Sequence, residues 1–277
     1  MLKYFPNLRD PRWMQVSILA VYAIVAREVF NFERSHWITA GLLIWAISLD
    51  FVIGWTQYKI SRVPIGSAVI AFACGLLIDS PHPGLYFIAV TIGVLSKSFF
   101  TYKNKHYMNP ANFSVVLIFL LGSGYATGIQ NLFAGYILPS CAFLSLGLLN
   151  VYYAKQLTLT LSFFAAFLLF AGVRWLLGTY WLLAFGPCLS PGFLLFTFHM
   201  LSDPATTPRS KKMQVFFSIG VAIFDAFFRY YLIPYGQFFA LFCFNSLMPL
   251  LRDFEENRNM KSIVRPFYQS FGVQVPI

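Results

Sequence analysis

Apolar runs of helical length alternate with short polar joints along most of the chain. Ten runs are long enough to predict membrane-crossing helices. They cover about 13–30, 37–54, 64–79, 84–100, 109–122, 131–150, 156–173, 180–201, 213–232 and 236–251. The fifth is short and begins at a proline. The eighth is interrupted by Gly186-Pro187 and Pro191-Gly192.

The basic residues test this division. With the N-terminus on the cytoplasmic side, 16 of the 20 Lys and Arg fall in inner joints or tails, and only Arg27, Arg34, Arg174 and Arg229 fall outside. That asymmetry is what the positive-inside rule demands, and an odd number of spans would spoil it. The expected organisation is a cytoplasmic segment over 1–12, a first membrane repeat over 13–122, a second over 123–251 and a basic cytoplasmic tail over 252–277. Two repeats of five spans, an odd number, must insert with opposite topology. The fold class is therefore an all-α polytopic membrane protein of about ten helices in two inverted five-helix repeats, with both termini cytoplasmic. No cleavable signal peptide is expected, because the start is polar and basic and no small-residue cleavage site follows the first apolar run.

Composition supports the membrane reading. Of 277 residues, 58% are hydrophobic and 11% charged, against about 25% charged in soluble domains. So few charges cannot cover a water-facing surface. The net charge of +10 then reflects basic cytoplasmic loops, and nucleic acid is not an expected partner. Cys74, Cys141, Cys188 and Cys243 lie in apolar stretches without paired spacing and are expected to be reduced core residues. No two of the four histidines have metal-ligand spacing.

Two joints carry the candidate chemistry. "KHYMNPANF" and "FHMLSDPATTP" each hold His, Met and a polar-Pro-Ala core. Pro110 lacks an N–H and suits a first helical turn, and Asn109 can cap it. Asp203-Pro204 repeats the arrangement with an acidic cap that the helix dipole favours. Two readings stand. Either both are capped helix starts in loops, or both are half-helices whose N-termini point into a protein-lined polar cavity and attract anions, including phosphate and carboxylate groups. On the second reading Asn109, Pro110, Asn112, Asp203, Pro204, Thr206 and Thr207 bind the ligand. Asp203 then accepts bonds from the Thr206 or Thr207 N–H, both threonine hydroxyls line the cavity, and Arg209, Lys211 and Lys212 stay at the surface.

Charges inside the spans are the remaining candidates. Asp225 and Arg229 stand at i, i+4 and can pair on one face, with an ion or proton role as the alternative. Asp50 is expected to have a polar partner on a neighbouring helix, because carboxylates at membrane depth are costly, with a transport role as the alternative. Arg174 ends a span and is expected to snorkel. Lys105 and His106 could receive an anionic headgroup, ligand or partner. A lone histidine such as His199 is more often a hydrogen-bonded structural residue.

Four stretches resemble the RnfD/NqrB membrane family: "DPRWMQVSILAVYAI", "SKSFFTYKNKHYMNPANF", "FTFHMLSDPATTPRSKKMQVFFSIGVAIFDAFFRYY" and "GQFFALFCFNSLMPLLRDF", the last with Asn245 and Pro249 in place. The resemblance implies ten helices in inverted repeats, membership of an ion-motive redox complex and bound flavin. Many family members carry FMN esterified to a threonine of a Ser-Gly-Ala-Thr motif in the outer loop after the Asn-Pro-Ala helix. Here that loop reads "LGSGYATGIQN". Tyr125 interrupts the motif before Thr127, the acidic residue upstream is missing, and one extended residue moves an atom by about 3.3 Å. Covalent FMN on Thr127 is therefore not expected, and the loop reads as a Gly-rich turn. The cofactor expected is FMN or riboflavin held noncovalently. The partners expected are the lipid bilayer and other subunits of a membrane complex, in the inner (cytoplasmic) membrane. Two other classes fit the same pattern: a small-solute transporter or channel using the inverted-repeat cavity, and a non-catalytic accessory or assembly subunit.

Overall fold

The computed structural model describes residues 10, 12–28, 35–59, 63–122, 124–128 and 137–257. Helix makes up most of the described part of each apolar run. The first seven runs give α1 (Arg12–Glu28), α2 (His36–Tyr58), α3 (Ile65–Leu77), α4 (Pro83–Phe99), α5 (Pro110–Leu121), α6 (Ile137–Ala154) and α7 (Leu157–Leu176). The eighth breaks at its glycine–proline pairs. It forms α8 (Trp181–Phe185), a 3-10 turn over Gly186–Leu189, and α9 (Pro191–Leu195), which runs into a π-helical turn over Phe196–Met200. The two halves of this run are bent by 56°. The last two runs give α10 (Lys211–Tyr230) and α11 (Gly236–Ser246), with further helix over 248–257.

Among the described residues, three helical stretches are individually long and apolar enough to cross a bilayer: His36–Gln57, Leu157–Leu176 and Lys211–Tyr230, or four with the bent pair counted as one. The helices over Ile65–Leu77, Pro83–Phe99, Pro110–Leu121 and Cys141–Ala154 are apolar but shorter. The chain is thus a mostly helical protein with three to four candidate spans. The all-α expectation needs one correction. Two-residue strands β1 (Ile78–Asp79) and β4 (Thr127–Gly128) pair antiparallel, as do β2 (Thr101–Tyr102) and β3 (Lys105–His106).

Helix faces follow the apolar pattern. On α10 the buried residues Gln214, Phe217, Ser218, Val221, Ala222 and Asp225 recur at the i, i+3, i+4 spacing of one helical stripe. Phe163, Phe193, Phe196, Phe217 and Phe238 are among the largest fully buried side chains, and the Phe196 ring meets Phe238 edge-on at 5.5 Å. Large apolar side chains also stand exposed around the bundle, among them Val52, Trp55, Leu121, Leu176 and Leu232. Exposure on this scale in a soluble monomer would be an aggregation hazard; here it suits contact with lipid.

The packing pattern is similar in the two halves. In the first, α1 and α2 pack on α3, α2 on α4, and α4 on α5. In the second, α6 packs on α9 and its π turn, α7 on α8 and the π turn, α7 on α10, and α10 on α11. Across the middle, α1 meets α6, α3 meets α9 and α5 meets α11. Gly220 on α10 lets the Phe244 ring of α11 lie against its backbone.

Candidate functional site

At the first joint, Asn109 caps α5 as its sequence suggests. Its Oδ1 accepts from the Asn112 N–H at 2.9 Å, and Pro110 occupies the first turn. The other end of the same side chain reaches across the molecule, where Nδ2 donates to the Met200 carbonyl at 2.9 Å. Asn112 is fully buried and donates from Nδ2 to the Phe238 carbonyl at 3.0 Å, while its Oδ1 has no partner among the described residues.

The second joint corrects an expectation. Asp203-Pro204 does not begin a helix; residues 203–208 form turns and bends. α10 begins later, with Ser210 as its cap accepting from the Met213 N–H. Asp203 Oδ1 accepts from the Ala205 N–H at 3.0 Å rather than from Thr206 or Thr207, the bond that defines an Asx-turn. Thr206 turns its hydroxyl toward Asp203 Oδ2, at 3.3 Å, and Thr207 donates its hydroxyl to the Asp203 carbonyl at 2.9 Å.

Just before this turn lies the most specific feature of the site. The Leu201 N–H closes the π turn on the Phe196 carbonyl at 2.8 Å. Three successive carbonyls of the turn then receive side-chain amides from three different elements. Asn150 of α6 donates to Phe198 at 2.8 Å, Gln15 of α1 to His199 at 3.2 Å, and Asn109 to Met200. Such turns are rare, and they persist where surrounding groups satisfy the backbone they disturb. The amides fix where residue 199 sits.

Gln15, Asn109, Asn150 and His199 border one chamber of about 560 Å³. Pro110, Asp203 and Pro204 border it too, so both joints face the same space. Its charged wall consists of Asp10 with Arg12, at 2.7 Å, Asp50 with Lys97, at 2.5 Å, and Asp203. Asp50 also accepts from the Ser67 hydroxyl at 2.7 Å, which supplies the polar partners its depth requires. Burial alone would raise the Asp10 carboxyl, but the hydrogen bonds and charge of Arg12 together hold it below its usual range.

The His199 ring lacks the hydrogen bond expected of a structural histidine. Its residue is 4% exposed, and neither ring nitrogen has a partner among the described residues. Leaving a buried polar group unpaired costs about 1–3 kcal/mol, so an unbonded imidazole is unusual in a packing role.

Asp50, Pro64, Lys97, His106, Pro204 and Ala205 also line a wider cleft of about 950 Å³, which Lys105, Thr207, Arg209 and Arg252 border. The cleft is framed by the β2–β3 hairpin, whose two central residues, Lys103 and Asn104, both have positive φ. Lys103 reaches Asp253 at 2.7 Å and Glu256 at 2.6 Å, tying the hairpin to the helix over 248–257. From that helix Arg252 donates to the carbonyls of His106, at 3.1 Å, and Ala205, at 2.5 Å. Burial holds the His106 imidazole below its ordinary pKa, with Lys97, Arg252 and Arg12 pushing the same way and Asp203 opposing.

Other expected residues lie elsewhere. Arg229 pairs with fully buried Asp225 through Nε at 2.8 Å and donates to Gln237 at 2.8 Å. Arg174 does not snorkel. It is 5% exposed and donates to the Ala184 carbonyl at 3.0 Å, and both guanidiniums stand over the Phe167 ring. Thr127 sits in β4 opposite Asp79, six residues beyond the end of α5 farthest from Asn109. The twelve residues of α5 place about 18 Å between its two ends. Ser123 lies outside the described residues. Sequence reasoning missed Gln15, Asn150 and Lys97 as chamber residues. The signal was a lone amide near the inner end of each of two apolar runs, and a lysine one turn inside a third.

The family described as NQR2, RnfD, RnfE has a sequence model that matches residues 122–261. No curated protein matches the chain.

Proposed function

Because the chain belongs to the NQR2, RnfD, RnfE family, we propose that it is an integral membrane subunit of a redox complex. On this reading it holds a flavin noncovalently in the chamber between its two joints. The observation that carries the reading is the convergence of the Asn109-Pro110 helix start and the Met200–Pro204 turn on one space, of a size ordinary for small-molecule sites. The lining fits such a group: apolar Leu19, Val69, Ile70 and Ala73 can face a ring, while His199 brings an uncommitted polar side chain. A flavin bound there supplies one- and two-electron transfer. The protein's own part is to hold the ring, keep bulk water from it and set the charge around it. Asn109 and Asn150 are committed to the backbone and act by keeping the π turn in place. Asp203 shapes the mouth, and the Asp50–Lys97 pair keeps a half-buried carboxylate compensated beside it.

The same reading makes the chain a ten-span protein of two inverted repeats in the inner membrane, both termini cytoplasmic, working with other membrane proteins of the complex. The similar packing within each half supports it, as does the meeting of α1 with α6, α3 with α9 and α5 with α11, because a pseudo-twofold axis brings equivalent helices together. Thr127, held in β4, is not an attachment point on this reading.

Purification in mild detergent tests the proposal. The protein should show flavin absorbance as isolated or after incubation with riboflavin or FMN. Asn109→Ala and Asp203→Ala should lower flavin retention at least tenfold. A denaturing gel should show no flavin fluorescence. Folded protein that takes up neither flavin would overturn the reading, and concentrative solute uptake by that same protein would favour the transporter class instead. A fluorescent gel band abolished by Thr127→Ala would overturn noncovalent attachment.

A further inference from the structure

His199 is held in place by its backbone and left unbonded at its ring. The carbonyls on either side of it and its own are fixed by Asn150, Asn109 and Gln15. The imidazole meets the Tyr22 ring edge-on, at 5.6 Å between centroids and 87°. The Tyr22 hydroxyl donates to the Phe143 carbonyl at 2.8 Å and makes no hydrogen bond to the imidazole. His199 thus borders the chamber, with both imidazole nitrogens buried and uncommitted among the described residues.

The charge around the chamber limits what can sit against that ring. Among the described residues, three carboxylates, Asp10, Asp50 and Asp203, face two cations, Arg12 and Lys97. Both cations are already paired, with Asp10 and Asp50. An anionic group gains nothing here. A neutral imidazole, with one N–H and one lone pair, suits an uncharged guest with a polar ring atom.

We propose that His199 is the ligand-contacting residue that sets specificity in this chamber, its imidazole N–H donating to a carbonyl oxygen on an uncharged, planar, carbonyl-bearing ring. This rests on the flavin reading above and deepens it by assigning one residue to the recognition of the guest's carbonyl edge. A site built to bond a polar atom rejects the analogue that lacks it, because the site's own polar group is then left unpaired.

The test compares two uncharged planar probes on the full chain in detergent: riboflavin, which has ring carbonyls, and phenazine, which has none. Binding is read by equilibrium dialysis. The wild type should prefer riboflavin. His199→Phe should weaken riboflavin about tenfold, the equivalent of one neutral hydrogen bond, and leave phenazine unchanged. His199→Gln keeps an N–H donor and should recover most of the riboflavin affinity. Loss of folding or of packing would weaken both probes together. If His199→Phe lowers both equally, or neither, the residue is a packing group and the proposal is overturned. If the wild type binds phenazine but not riboflavin, carbonyl recognition is wrong while the chamber stands. If it binds neither, the flavin reading falls and takes this assignment with it.

Discussion

At the scale of single residues, the buried charges separate into two kinds. Asp50 and Lys97 meet beside the chamber, partly open to it. Asp225 is 0% exposed and faces Arg229, with Arg174 also standing over Phe167 nearby. One carboxylate thus compensates a neighbourhood of two cations. Asp225→Asn leaves both guanidiniums buried without it, a loss of about 3–5 kcal/mol. The midpoint of thermal unfolding in detergent should fall sharply. Adding Arg229→Gln to that variant should restore most of it, and a single variant that unfolds like the wild type would show that the pair contributes nothing net. The Asp225–Arg229 pair was legible, because i, i+4 spacing brings two side chains onto one face. Arg174 was not. A run's last arginine reads as interfacial in one dimension, and only the folding of α8 back against α7 brings the Ala184 carbonyl to it.

Among the elements, the Asp203 turn shows how the same residues can open a helix or a bend. Proline at the second position of a joint fixes φ near −65°, which suits the first turn of a helix and the second residue of a β-turn alike. The deciding residue is Pro208. In a helix begun at Pro204 it would stand one turn in, without an N–H and with its ring against the carbonyl four residues back. The helix therefore waits for Ser210. Asn109-Pro110 has no second proline behind it, and its helix starts where the spacing predicts. The π turn was illegible for another reason. Nothing in "FTFHM" marks it, since its stability rests on amides from α1, α6 and the start of α5. The contact between α10 and α11 gives the element-scale prediction. A Cβ at Gly220 would meet the Phe244 ring, so Gly220→Ala should cost roughly 1–3 kcal/mol through overpacking. The unfolding midpoint in detergent checks this, and Gly220→Ala with Phe244→Leu should regain part of the loss.

For the molecule as a whole, apolar runs and basic joints located nearly every helix, because burial in lipid and exposure to water are averaged over many residues. The ten-span reading makes a topological prediction: a reporter fused after Ile277 should be active on the cytoplasmic side, and a periplasmic signal would sink the inverted-repeat arrangement. The chamber was less legible, since its lining comes from segments nearly two hundred residues apart, from Gln15 to Ala205. The π turn also has a meaning in units of chain length. It is a helical turn with one residue more than an α-helix needs, set between a run anchored by Ser190 and a joint anchored by Asn109. Deleting a single residue from 196–198 would let the segment relax to α-helix and rotate what precedes it by about 100° relative to His199. Both anchors could not then be satisfied together, and the imidazole would leave its place in the wall. The chemistry of this chamber is thus encoded partly in a count of residues, so that relatives differing here by one codon's insertion or loss would keep the bundle and change what it holds.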